Sequence, residues 1–88
     1  MKVVIIYRPD SEHGRLTEDF VRTFQSRYPL QRLETLNIDS RDGSATATLY
    51  DVMQYPGILV LQNDGQVEKS WEGDNLPRVD EVAGYARL

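Results

Sequence analysis

Two short runs of apolar residues most tightly constrain how this chain can fold. Lys2 to Tyr7 reads KVVIIY, and Gly57 to Leu61 reads GILVL. Both runs are rich in β-branched residues and neither alternates with polar ones, which is typical of strands buried on both faces of a sheet. The 88 residues are enough for one domain with one such sheet. We therefore predict a single α/β domain over residues 1–88, built on these two strands.

The chain between the two runs alternates helical and extended patterns. Apolar residues at helical spacing favour a helix from Gly14 to Tyr28, with an inner stripe of Leu16, Phe20, Val21 and Phe24. An alternating pattern favours a strand from Leu30 to Ile38. A polar stretch that can cap a helix follows, and it predicts a short helix from Ala45 to Val52. The inner side of that helix would carry Ala45, Leu49 and Val52.

A hairpin and a final helix are predicted after the second apolar run. The turn signal is Asn63-Asp64-Gly65, and it leads into a strand from Gln66 to Glu72 whose charged residues protect an exposed sheet edge. A last helix begins near Pro77, and its apolar face would comprise Val79, Val82, Ala83 and Ala86. The element order is β-α-β-α-β-β-α. A ferredoxin-like βαββαβ domain would need a hairpin after the first helix and a closing strand, and the sequence offers neither.

The segment from Tyr50 to Val67 resembles the C-terminal half of thioredoxins. Thioredoxin-like domains have a Tyr-x-Val/Ile-x-x-x-Pro run followed by an apolar strand, a polar turn with glycine and another strand. Tyr50, Val52 and Pro56 match this spacing, and Gly73 falls where the family often has a glycine. The resemblance implies a minimal thioredoxin-like or glutaredoxin-like domain over residues 1–88, with a four-stranded mixed sheet flanked by helices. It also implies a cis bond before Pro56.

The chain contains no cysteine, although thioredoxins and glutaredoxins act through a pair of them. In glutaredoxin-like proteins the first strand leads into a Pro-Gly-Cys-Pro-Tyr-Cys type of loop. Here the corresponding residues are Pro9 to Gly14, and the resemblance places Ser11 at the first cysteine and Gly14 at the second. Thiol–disulfide exchange requires a thiolate that attacks a disulfide sulfur. We therefore expect no catalytic residue and no oxidoreductase activity of this type.

The loop after the first strand contains three candidate ligand-binding residues, Ser11, Glu12 and His13. One interpretation makes Ser11 a helix N-cap whose hydroxyl accepts from a backbone N–H. The other places an anionic ligand at the helix N-terminus, where Ser11 would hydrogen-bond a glutathione thiolate as in some glutathione transferases of this fold. His13 is interpreted as an exposed loop residue. One histidine beside Asp10 and Glu12 is too few ligands for a metal site.

Tyr55 and Pro56 are the other candidate ligand-binding residues. In the family that Tyr50 to Val67 resembles, the residue before the cis-proline offers its backbone N–H and C=O to an extended peptide or to glutathione. Such pairing is β-augmentation and needs no sulfur. The alternative is that Pro56 serves only the fold, by setting the entry into the third strand. Tyr55 would either provide a stacking surface or fill the groove left by the missing dithiol.

Charge and composition argue against several other classes of function. The net charge is −4 and the carboxylates are scattered, so the chain lacks the basic stripe that nucleic acids require. No run approaches the length of a membrane span, and the N-terminal apolar run is too short for a signal peptide. We expect no cofactor, no metal and no membrane partner, and a cytoplasmic protein.

The sequence therefore predicts a redox-inactive domain that acts by binding near the cis-proline loop. Its partner would be a protein segment or small acidic peptide, or glutathione, and it would be a monomer or a weak homodimer. Two alternatives stay open: a glutathione-dependent enzyme that uses Ser11, and a structural subunit that dimerises through its sheet edge.

Overall fold

Four strands and three helices follow one another along residues 1–86, the part of the chain that the computed structural model describes. The strands are β1 (Lys2–Tyr7), β2 (Arg32–Asn37), β3 (Gly57–Leu61) and β4 (Val67–Glu72). The helices are α1 (Glu12–Arg27), α2 (Arg41–Leu49) and α3 (Val79–Ala86). The predicted order β-α-β-α-β-β-α is confirmed. Within residues 1–86 no helix has the length and apolar character needed to cross a bilayer.

The four strands form one mixed sheet in the order β2-β1-β3-β4. β1 and β2 are parallel, and β3 is antiparallel to both β1 and β4. β1 and β3 are central and buried on both faces, as their apolar runs predict. The register pairs Ile6 with Gly57. The loop that leaves β1 and the loop that enters β3 therefore lie side by side at one end of the sheet.

Each face of the sheet carries its own hydrophobic cluster. Helices α1 and α3 cover one face, where the aromatic rings of Phe20 and Phe24 stack with their centroids 6.3 Å apart. Helix α2 covers the other face. That second cluster contains Val4, Ile6, Ala47, Val52, Leu59 and Leu61. Because the central strands contribute to both clusters, burial of the two apolar runs provides most of the core.

The inner face of α1 differs from the predicted stripe at Leu16. This side chain is 57% exposed, whereas Thr17 is fully buried and takes the inner position. The Thr17 hydroxyl donates to the carbonyl oxygen of His13 at 2.7 Å, so the helix backbone satisfies this buried polar group. A threonine can therefore occupy the core face here, and the prediction for Leu16 is wrong.

Helix α2 begins at Arg41, four residues earlier than predicted, and presents a different face. Ser40 is its N-cap, and the Ser40 hydroxyl accepts from the Gly43 N–H at 3.0 Å. The buried residues of α2 are Gly43 and Ala47. Ala45 and Leu49 are exposed, so their predicted burial is wrong. The predicted strand start is also too early, since Leu30 is 97% exposed in the turn before β2.

The predicted hairpin is present between β3 and β4. Gly65 has a φ of 90°, a left-handed conformation that favours glycine. The Gln62 N–H donates to the Gln66 carbonyl oxygen at 2.8 Å, and the Asp64 carboxylate accepts from the Gln66 N–H at 3.0 Å. The turn thus holds β4 as the edge strand, and β4 in turn borders the loop that enters β3.

Candidate functional site

The loop between β1 and α1 is folded back onto Arg8. Ser11 stands at the N-cap position with an extended backbone, but its side chain makes no capping hydrogen bond. Its hydroxyl donates instead to the Arg8 carbonyl oxygen at 2.5 Å. The capping interpretation of Ser11 is therefore wrong, because a tight turn within the loop provides a closer acceptor for the hydroxyl hydrogen.

His13 lies half-buried in the first turn of α1, so the expectation of an exposed loop histidine is wrong, and its ring contributes to the same turn. Its Nε2 accepts from the Arg8 backbone N–H at 3.1 Å, so this nitrogen is the unprotonated one. Glu12 lies exposed in the first turn of α1, and its carboxylate has no hydrogen-bond or ion-pair partner within residues 1–86. In the same part of the chain no three His, Asp or Glu side chains are grouped as metal ligands would be. Ser11 and His13 thus act on the shape of the loop.

Arg8, which the sequence did not single out, forms an ion pair beside the site. Its guanidinium donates to both carboxylate oxygens of Asp39, from Nε at 2.9 Å and from Nη2 at 3.0 Å. This hydrogen-bonded contact lowers the pKa of Asp39. A usable signal existed: β1 and β2 are parallel, so residues just beyond their carboxyl ends meet at one sheet edge.

The Tyr55–Pro56 peptide bond is cis. Pro56 is buried and Tyr55 is half-buried, with its ring against the second hydrophobic cluster and its hydroxyl 3.3 Å from the Val52 carbonyl oxygen. The ring therefore packs inward on the α2 side of the sheet. The backbone N–H and C=O of Tyr55 make no hydrogen bond within residues 1–86. This residue thus presents an unpaired donor and acceptor at the end of the sheet.

Glu72, the last residue of β4, and Gly73, which follows it, hold the cis-proline loop in place. The Glu72 Oε1 accepts from the backbone N–H groups of Met53 at 2.6 Å and Gln54 at 3.0 Å. The Gly73 N–H donates to the Pro56 carbonyl oxygen at 3.1 Å. The sequence predicted only that the charge of Glu72 protects the sheet edge. Its contact with the loop depends on the register of β3 and β4, which pairs Gly57 with Glu72.

A small cavity of about 230 Å³ lies between α2 and the cis-proline loop. Its walls include Ile38, Ala47, Met53 and Tyr55. A larger cavity of about 590 Å³ is lined by Lys2, Tyr28 and the start of β2. The residues lining this larger cavity lie at the other end of the sheet. The smaller cavity therefore extends the candidate site, while the larger one is separate from it.

Solved structures of thioredoxins share this architecture. Thioredoxin 1 of Thermosipho africanus superposes with a TM-score of 0.70 at 12% identity, over 97% of this chain and 89% of its own. The oxidised mitochondrial thioredoxin 3 of Saccharomyces cerevisiae gives 0.70 at 18% identity, over 93% and 72%. Thioredoxin O2 of Arabidopsis thaliana gives 0.71 at 16% identity, over 94% and 69%. This chain has the thioredoxin-like fold. No protein-family model and no curated protein sequence matches it.

The loop of this thioredoxin-like domain differs from a dithiol loop by more than the lack of sulfur. Gly14, the position compared above with the second cysteine, is buried against the loop backbone. A Cβ atom on Gly14 would lie 2.1 Å from the Pro9 carbonyl oxygen and 2.9 Å from that of Arg8. No side chain fits there unless the backbone moves. The loop geometry is thus specific to a chain with glycine at this position.

Proposed function

We propose that this domain binds an extended segment of a partner protein at the cis-proline loop, without redox chemistry. The observation that carries the proposal is the unpaired backbone N–H and C=O of Tyr55 beside Pro56. An extended peptide that pairs with both groups would add a short strand to this end of the sheet. Backbone pairing provides affinity without any side-chain nucleophile.

The rigidity of the loop supports this function. Glu72 fixes the two residues before Tyr55, and the Gly73 N–H fixes the carbonyl of the residue after it. A donor and an acceptor that are already in place lose little conformational entropy on binding. Met53 is 80% exposed at the edge of the loop and offers an apolar, adaptable contact. We expect Kd values from micromolar to millimolar, because such a site has few anchors.

The contacts of Ser11 disfavour the glutathione-dependent enzyme. A serine that stabilises a thiolate must donate its hydroxyl hydrogen to sulfur, but the Ser11 hydrogen is engaged by the Arg8 carbonyl oxygen. Donation to a thiolate would require that bond to break and the loop to open. Glutathione is still a short peptide that could pair with Tyr55, so it belongs among the ligands to be tested.

The absence of cysteine predicts that the purified chain has no disulfide reductase activity. In an insulin reduction assay with dithiothreitol, turbidity should develop at the rate of the reaction without protein. The melting temperature should also be the same with and without reductant, since no thiolate or disulfide can respond. Catalysis that persists after contaminating reductases are removed would contradict this prediction.

The proposed binding groove is the space between residues 10–15 and residues 54–57. It can be tested by titrating ¹⁵N-labelled protein with a capped, extended peptide and separately with glutathione. We expect the amide signals of residues 10–15 and 54–57 to shift together. Met53→Ala should weaken binding about fivefold, as for a moderately important interface contact. Leu30→Ala is the matched control, because Leu30 is also an exposed apolar residue and lies in the turn before β2, away from the cis-proline loop. Tyr55 is less suitable for substitution, since its ring packs against the second cluster.

Two results would contradict binding at this groove. One is that neither segment shifts with any peptide at millimolar concentration. The other is that Leu30→Ala weakens binding as much as Met53→Ala does. If light scattering then shows a mass that rises with protein concentration, the structural-subunit alternative gains support.

A further inference from the structure

We infer that the segment bound at the cis-proline loop is cationic, an inference that rests on the proposed function. The reason is an excess of uncompensated carboxylates around the groove, defined here as the acidic rim: Asp10, Glu12, Asp51 and Asp74. All four are exposed, and none is in an ion pair within residues 1–86.

Each member of the acidic rim is placed beside the groove by a neighbouring contact. Asp10 lies in the loop that leaves β1 and Glu12 begins α1 just after it, and the pairing of Ile6 with Gly57 sets this loop next to the one that contains Pro56. Asp51 lines the cavity that Tyr55 also lines. Asp74 follows Gly73, whose N–H donates to the Pro56 carbonyl oxygen.

The cations near the groove do not offset this rim. The charge of Arg8 is already paired with Asp39 through two hydrogen bonds. Arg15, Arg41 and Arg78 are exposed and in no ion pair within residues 1–86, so three cations stand against the four carboxylates of the rim. Glu72 adds a further carboxylate beside the loop. A partner with the opposite charge associates faster with the groove, whereas an acidic partner is repelled by it.

This conclusion reverses the sequence-based expectation of an acidic peptide. That expectation relied on the positive end of the α1 dipole, which would attract an anion. In the structure, Asp10 and Glu12 lie at that end of the helix and already provide negative charge there. A second anion would be repelled by them. A lysine- or arginine-containing strand would instead gain favourable contacts while its backbone pairs with Tyr55.

The test compares three capped octapeptides that are identical except for two positions, which are both Lys, both Gln or both Glu. We expect the Lys peptide to bind about fivefold more tightly than the Gln peptide, and the Glu peptide to bind most weakly. Raising the ionic strength from about 0.01 M to about 0.15 M should reduce these differences, because screening then acts over about 8 Å rather than 30 Å.

A double variant, Asp10→Asn with Asp74→Asn, locates the effect. It should weaken the Lys peptide about fourfold, since each of the two exposed pairs contributes a factor of about two, and leave the Gln peptide unchanged. Glu81→Gln with Glu68→Gln is the control for net charge, because it also removes two carboxylates. Glu81 lies at the start of α3, where Asp80 accepts a hydrogen bond from the Tyr28 hydroxyl at the far end of α1, and the Glu68 carboxylate accepts from the Gln62 side chain beside the hairpin.

The outcomes separate this inference from the proposed function. If the three peptides bind equally, or the Glu peptide binds best, the charge preference is overturned while binding at the groove stands. If Glu81→Gln with Glu68→Gln weakens the Lys peptide as much as Asp10→Asn with Asp74→Asn does, attraction to net charge replaces the acidic rim. If no peptide shifts the amide signals of the groove, the proposed function itself fails.

Discussion

Gly14→Ala is expected to destabilise the domain by about 2–4 kcal/mol, which is a large part of the stability of a chain of this size. The added Cβ would lie 2.1 Å from the Pro9 carbonyl oxygen and 2.8 Å from its carbonyl carbon. Both are backbone atoms, so relief requires the loop after β1 to move away from α1. The melting temperature should fall by roughly 10 to 25 °C in thermal unfolding followed by circular dichroism.

Gly84→Ala is the matched control for this substitution. Gly84 also lies in a helix, but a Cβ there meets no atom within 4 Å. Alanine has the higher helix propensity, so this variant should stabilise the domain by up to about 1 kcal/mol. Opposite signs for the two glycine substitutions would support the close approach of Gly14 to the loop. A Gly14→Ala protein as stable as the parent would contradict it.

The close approach of Gly14 to the loop backbone also predicts that a dithiol cannot be restored at Ser11 and Gly14 without destabilising the protein. The double variant Ser11→Cys with Gly14→Cys supplies two thiols at the required spacing, but the second meets the same steric obstacle as alanine does. We therefore expect an unstable protein rather than an active reductase. Ser11→Cys alone should fold, because its side chain replaces a hydroxyl of similar size.

The elements of the fold that follow from local pattern could be predicted from the sequence. The uninterrupted apolar runs identify β1 and β3, and Asn63-Asp64-Gly65 identifies the hairpin because only particular residues adopt its turn. The buried faces of α1 and α2 were harder to predict than the strands and the hairpin. Thr17 replaces Leu16 in the core through a hydrogen bond to the helix backbone. Helix α2 packs closely through Gly43, where a Cβ would lie 1.9 Å from the Asn37 carbonyl oxygen, so its buried face is that of Gly43 and Ala47 and Leu49 lies outside.

The candidate site was predicted in part for a related reason. The cis-proline loop and the loop after β1 were recognisable because family motifs are local in sequence. The contacts of Arg8 with Asp39 and of Glu72 with Met53 join residues from different strands. Their partners depend on strand register, which a single sequence specifies only through the alternation of its side chains. Long-range polar contacts of this kind therefore had no local signal, and only the expected parallel pairing of β1 and β2 could have indicated that of Arg8 with Asp39.

Glu72→Ala is expected to loosen the cis-proline loop and to weaken peptide binding about tenfold. The substitution removes the only acceptor that the Met53 and Gln54 N–H groups have within residues 1–86. Hydrogen bonds to a carboxylate are stronger than neutral ones, so both amides should exchange with solvent about tenfold faster. Tyr55 must then be ordered when the peptide binds, and this entropic cost lowers affinity.

Two further variants distinguish a contact of the loop from a general effect on β4. Glu72→Gln keeps a carbonyl acceptor of similar reach, so it should restore part of the amide protection and part of the affinity. Glu68→Ala removes a carboxylate of the same strand that, within residues 1–86, accepts only from the Gln62 side chain, and it should leave both the amide protection and the affinity unchanged. If Glu68→Ala weakens peptide binding as much as Glu72→Ala does, the negative charge of β4 determines the affinity, and the hydrogen bonds of Glu72 to Met53 and Gln54 do not. If Glu72→Ala alters amide exchange but not affinity, Tyr55 does not need this support to bind its partner.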